Sequence, residues 1–115
     1  MAIPRVKITV IRKVDMRDLW GAENLGTVVD FPPVCPFYQV GDEFMVEQTE
    51  LPAGFCVSAF HDIYRYIFSL RTGGNFSWMA KAGEAVVCCT DAFRPVVFRL
   101  ERLDDSTSDS GPQNR

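Results

Sequence analysis

The sequence has little of several things. It has one histidine, His61, in 115 residues. It has no apolar run near the roughly eighteen residues that a membrane-spanning helix needs, which excludes a membrane partner of that kind. Its twelve basic residues are scattered from Arg5 to Arg115 without a cluster. A nucleic acid backbone demands concentrated positive charge, so nucleic acid is excluded as a partner. No glycine-rich phosphate loop is present, and no C-x2-C pair. The opening Met1-Ala2-Ile3-Pro4-Arg5 lacks the long apolar stretch of a signal peptide. The chain therefore reads as cytoplasmic, with reduced thiols.

What is present is enough for one core. Hydrophobic residues make up 47% of the chain and aromatics 12%. These figures exclude a disordered or collagen-like chain, and the length excludes a two-domain enzyme. The expected organisation is one globular domain over 1–103 followed by a disordered tail, 104–115. That tail holds no large apolar residue to offset the entropy of ordering. It carries Asp104, Asp105 and Asp109 against Arg115, so the net charge of −3 belongs mostly to it.

Periodicity places the elements. Val6, Ile8 and Val10 alternate with Arg5, Lys7 and Thr9, which predicts a strand whose register loosens at Ile11. Asp15 or Asp18 caps a short helix within a partly helical segment, 15–30. Pro32, Pro33 and Pro36 impose a stiff extended loop. A short strand runs over Glu43–Gln48 after the Gly41-Asp42 turn. Phe60, Ile63, Tyr64 and Ile67 have helical spacing, widened by Phe68 and Leu70. They predict a helix over about 58–71, capped by Ser58, with an Asp62–Arg65 pair on its wet face, and stopped by Gly73-Gly74. Asn75–Ala82 reads as one helical turn lying on the core. Ala85-Val86-Val87-Cys88-Cys89 predicts a central strand covered on both faces. It forms a hairpin with a last strand from Val96. The fold class is thus α+β: a small, mainly antiparallel four-stranded sheet with one main helix and short helical turns. One helix leaves much of one sheet face uncovered, which predicts a homo-oligomer.

The candidate chemistry centres on Cys35, Cys56, Cys88 and Cys89. Cys35, Cys56, His61 and one of Cys88 or Cys89 have the N/S donors of a zinc or iron site, although their spacing follows no knuckle pattern. Cys56 precedes the main helix, where the positive helix end favours a thiolate, and His61 follows about one turn on as its proton partner. The alternative is a core cysteine beside a half-exposed histidine. In Thr90-Asp91-Ala92-Phe93-Arg94-Pro95, Arg94 has the fork that clamps a carboxylate. The alternative is that Asp91 caps its own turn and pairs with Arg94. Loop aromatics such as Phe37, Phe76 and Phe93 line either a pocket or a subunit interface.

Several stretches also carry a resemblance. They are Val6-Lys7-Ile8-Thr9-Val10, Cys35-Pro36 with Val40-Gly41-Asp42-Glu43-Phe44, Pro52-Ala53-Gly54-Phe55-Cys56, and Asp62-Ile63. Gly73-Gly74-Asn75-Phe76 with Trp78, Cys88-Cys89-Thr90-Asp91, and Arg94-Pro95-Val96 complete the set. In this order they resemble an uncharacterised family of small single-domain proteins common in anaerobic bacteria and archaea. The resemblance spans roughly Arg5 to Leu103 and transfers no reaction. It implies that Cys35, Cys56, His61, Cys89, Asp91 and Arg94 belong to one site. Three readings follow. The first is an enzyme acting on a small organic, anionic or aromatic, metabolite through a cysteine-centred pocket. The second is a Cys/His metal-binding protein, and the third a non-catalytic ligand-binding or assembly module.

Overall fold

In the computed structural model, which describes residues 3–21 and 32–103, alternation, capping and turn chemistry produce six elements. β1 is Arg5–Lys13, α1 Met16–Trp20, β2 Glu43–Val46, α2 Val57–Arg71, β3 Glu84–Cys88 and β4 Val96–Leu103. The strands form one antiparallel sheet in the order β2-β1-β4-β3. Together with α2 and the short α1 this is the expected α+β architecture. Among the described residues no helix is long and apolar enough to cross a membrane.

Strand alternation sets which face is dry. Val6, Ile8 and Val10 of β1 stand beside Leu100 and Phe98 of β4, and all are fully buried. α2 lays Ala59, Phe60, Ile63, Ile67 and Leu70 on that face. The register shift falls between Val10 and Arg12, where the sequence pattern loosens. Asp15 caps α1, its carboxylate accepting from the Arg17 backbone N–H at 2.8 Å. At the far end of α2, Arg102 donates to the Leu70 and Gly74 carbonyls at 3.1 and 2.8 Å. The guanidinium thus satisfies carbonyls that a helix C-terminus leaves open.

Several expectations are corrected. β3 is an edge strand, not a central one: among the described residues its partner is β4 alone, and Val86 is 44% exposed. A continuous apolar run does not distinguish a covered strand from an edge strand whose outer face stays apolar. Residues 75–82 turn without forming a helix, and Trp78 is 69% exposed rather than seated on the core. Phe68 is exposed rather than part of the buried stripe. Cys56, not Ser58, is the N-cap of α2, and it makes no side-chain cap bond. Asp62 and Arg65 do not pair; Asp62 accepts from Thr90 and Arg65 donates to the Tyr66 hydroxyl. The expected disordered tail 104–115, the residues of 15–30 beyond Gly21, and Phe31 lie outside the described residues. The sheet face away from α2 carries Lys7 between Glu43 and Glu101, at 3.8 and 3.7 Å. That face is a wet, charge-laced surface.

Candidate functional site

Three segments meet at one end of the sheet: the proline loop, the start of α2, and the loop between β3 and β4. The proline loop is stiff by composition and tethered by bonds. Met16 N–H donates to the Pro33 carbonyl at 2.8 Å, and Lys13 donates to the Tyr38 carbonyl. Gln39 N–H donates to the Asp42 carboxylate at 2.9 Å. These ties hold Tyr38 over the core, where it is 3% exposed. Its ring meets Phe44, Phe55 and Phe98 at centroid separations of 5.9, 5.5 and 5.5 Å. Its hydroxyl accepts from the Cys56 backbone N–H at 3.1 Å. A buried phenol therefore anchors the entry to α2.

Burial pushes the Tyr38 hydroxyl well above the ordinary tyrosine range. The bond from Cys56 N–H opposes this, and the thiols of Cys56, Cys35 and Cys89 nearby push it further up. Three of the four cysteines thus surround one phenol. They line a cleft of about 320 Å³ with Ser58, Asp62, Asp91 and Arg94. That volume is at the lower end of the range for small-molecule sites.

The walls are fixed by local hydrogen bonds. Asp62, in the second turn of α2, accepts from Thr90 N–H and Thr90 Oγ1 at 2.8 and 3.0 Å, which staples the helix to the end of β3. Asp91 accepts from the N–H groups of Phe93 and Arg94 at 2.9 and 3.1 Å and stands 3.7 Å from Arg94 Nε. The structure therefore shows the turn-capping arrangement, with Arg94 still lining the cleft. Arg94 Nη1 also reaches the Pro32 carbonyl at 3.4 Å, joining two walls. Cys89 is held by an exchange with Val96: its N–H donates to the Val96 carbonyl at 3.2 Å, and Val96 N–H donates to its Sγ at 3.4 Å. From outside, Trp20 donates to the Ala92 carbonyl at 3.0 Å and packs on Phe93.

Cys35, Cys56, Cys89, Asp91 and Arg94 thus line one cleft, and His61 does not. Five residues along a helix turn a side chain about 140° away from its starting direction. His61 instead lines a groove between α2 and β3, with Tyr66, Trp78, Val86 and Cys88. Cys88 points opposite to Cys89, as neighbours on a strand do. Partial burial, Cys89 and Asp62 push its thiol above the ordinary cysteine range. Among the described residues no three His, Cys, Asp or Glu side chains are gathered to hold a metal ion, so the Cys/His ligand set is not assembled. Sequence reasoning missed Tyr38, Ser58 and Asp62 as site residues, while Thr90 lay in the loop it had singled out. For Tyr38 the one available signal was its place just after the stiff proline loop. No family model, curated protein or solved structure matches the chain.

Proposed function

We propose that the protein takes a small organic metabolite, anionic or aromatic, into this cleft and acts on it through a cysteine thiol. The observation that supports this reading is that three cysteines from three separate segments line one cleft around the buried Tyr38 hydroxyl. Cys56 is the leading nucleophile. It sits at the N-terminus of α2, the end of a helix that favours negative charge, and its own N–H is occupied by Tyr38. Cys35 is the alternative nucleophile. Tyr38 is protonated at neutral pH, as an ordinary tyrosine is, and burial keeps it so well into alkaline pH, so its hydroxyl is a hydrogen-bond donor to the reacting group. Arg94, held by Asp91, supplies positive charge for an anionic substituent.

A second reading is a binding module without chemistry. It is favoured by the engagement of Asp62 and Asp91 with backbone N–H groups, which makes them walls rather than acid–base groups. Alkylation separates the two. Iodoacetamide at neutral pH is expected to modify Cys56 selectively in the wild type, and Cys56→Ser is expected to remove the fast phase while Cys35→Ser retains it. Uniformly slow, unselective modification removes the nucleophile and leaves the binding module.

A further inference from the structure

Among the described residues, the edge of β3 away from β4 has no partner strand. In the β3–β4 ladder, Cys89 N–H donates to Val96 and Arg102 N–H donates to the Gly83 carbonyl. The odd-numbered residues therefore bond inward, and alternation turns the backbone N–H and C=O groups of Glu84, Val86 and Cys88 outward. No described residue meets those groups. Edge strands are commonly protected by charges, prolines or short length. The other edge, β2, has four residues, starts with exposed Glu43 and is followed by exposed Glu47. β3 is one residue longer and has a single charge of its own. Its outer face shows Val86, 44% exposed, and its one charge, Glu84, is paired with Lys81 at 3.7 Å in its own chain.

We infer that two copies of this chain pair through β3, antiparallel and two-fold symmetric about Val86. A second copy fits this edge in register and in charge. Centring the axis on Val86 sets Val86 opposite Val86, and Glu84 opposite Cys88 of the partner. Every outward N–H and C=O of the strand then has a mate. Moving the centre to Ala85 or Val87 leaves one residue's groups open. No like charges face each other, because each Glu84 meets a thiol rather than a second carboxylate. The contact is isologous and closes on itself. The product is one continuous sheet with both α2 helices on the same face. There the groove that holds Tyr66 and Trp78 beside β3 faces its copy. The strand runs directly into Cys89 and Thr90, so the pairing also stiffens one wall of the cleft.

The test uses the full chain. Sedimentation at about 100 μM is expected to give twice the 13.0 kDa chain mass. Val86→Lys places two like charges at the axis and is expected to weaken association at least tenfold, with an unchanged far-UV spectrum. Cross-linking fixes the register independently. Hydrogen-bonded antiparallel partners have Cα atoms about 5.5 Å apart, within disulfide reach. Val86→Cys in a Cys88→Ser background is therefore expected to give a disulfide-linked dimer with diamide. Wild-type Cys88 is not, because the two Cys88 residues lie about 14 Å apart along the strands. A monomer at 100 μM, a dimer indifferent to Val86→Lys, failure of Val86→Cys to cross-link, or cross-linking through Cys88 overturns the inference.

Discussion

Replacing Tyr38 by phenylalanine removes one oxygen and leaves the ring against Phe44, Phe55 and Phe98. Packing is therefore retained, and the change isolates the hydroxyl. At neutral pH the Cys56 N–H loses its acceptor in a part-buried position. Leaving such a group unsatisfied costs about 1–3 kcal/mol. For a domain of this size a loss near 1.5 kcal/mol lowers the melting temperature by roughly 6–12 °C. Alkaline pH reverses the comparison. Tyr38 ionises well above the ordinary tyrosine value of about 10 in the folded chain and near it in the unfolded one. Above pH 10 the unfolded state therefore binds fewer protons, and wild-type stability falls by about 1.4 kcal/mol per pH unit from this group alone. The phenylalanine variant has no such proton. The difference between the two proteins, measured by urea unfolding from pH 7 to pH 12, is expected to shrink above pH 10 and vanish near pH 11. Parallel curves across that range would refute the claim that the hydroxyl is buried and holds the start of α2.

Two further outcomes follow from the same physics. Arg102→Ala removes the donors that meet the Leu70 and Gly74 carbonyls and Asn75 Oδ1, and is expected to cost about 2 kcal/mol by chemical denaturation; Arg102→Lys, lacking the fork, recovers only part of it. The Asp15 carboxyl, held at about 2 by its bonds from Arg17, contributes stability above the ordinary aspartate range that is lost as pH falls through 2; carboxyl carbon shifts in an NMR titration are expected to give that midpoint, and a midpoint near 4 would remove the cap.

Much of this architecture was legible because it is local. The bulge after Val10 shows in the sequence as a change of phase, and the Ile63–Ile67 stripe shows as helical spacing. The cysteines of the cleft were legible for a related reason: Cys56 and Cys89 border α2 and β3, and Cys35 stands in the stiff proline loop. What escaped is non-local. Whether β3 is central or at an edge depends on how many strands lie beside it, and Val86 and Val87 have the same composition either way. Tyr38 meets Cys56 across 18 residues, and no spacing rule couples them. His61 was misjudged through helix geometry itself, since a residue five places on faces away from the N-cap.

The central claim is that cleft position, not exposure, governs the thiols. It is tested most directly by the rate at which each of the four cysteines reacts with iodoacetamide at pH 7 in the folded wild-type chain, read site by site by mass spectrometry. Cys88 is the most exposed of them, yet its thiol is pushed above the ordinary range, so little of it is thiolate at that pH. The account predicts that Cys56 reacts first and Cys88 lags. Rates that follow exposure, with Cys88 leading, would contradict it.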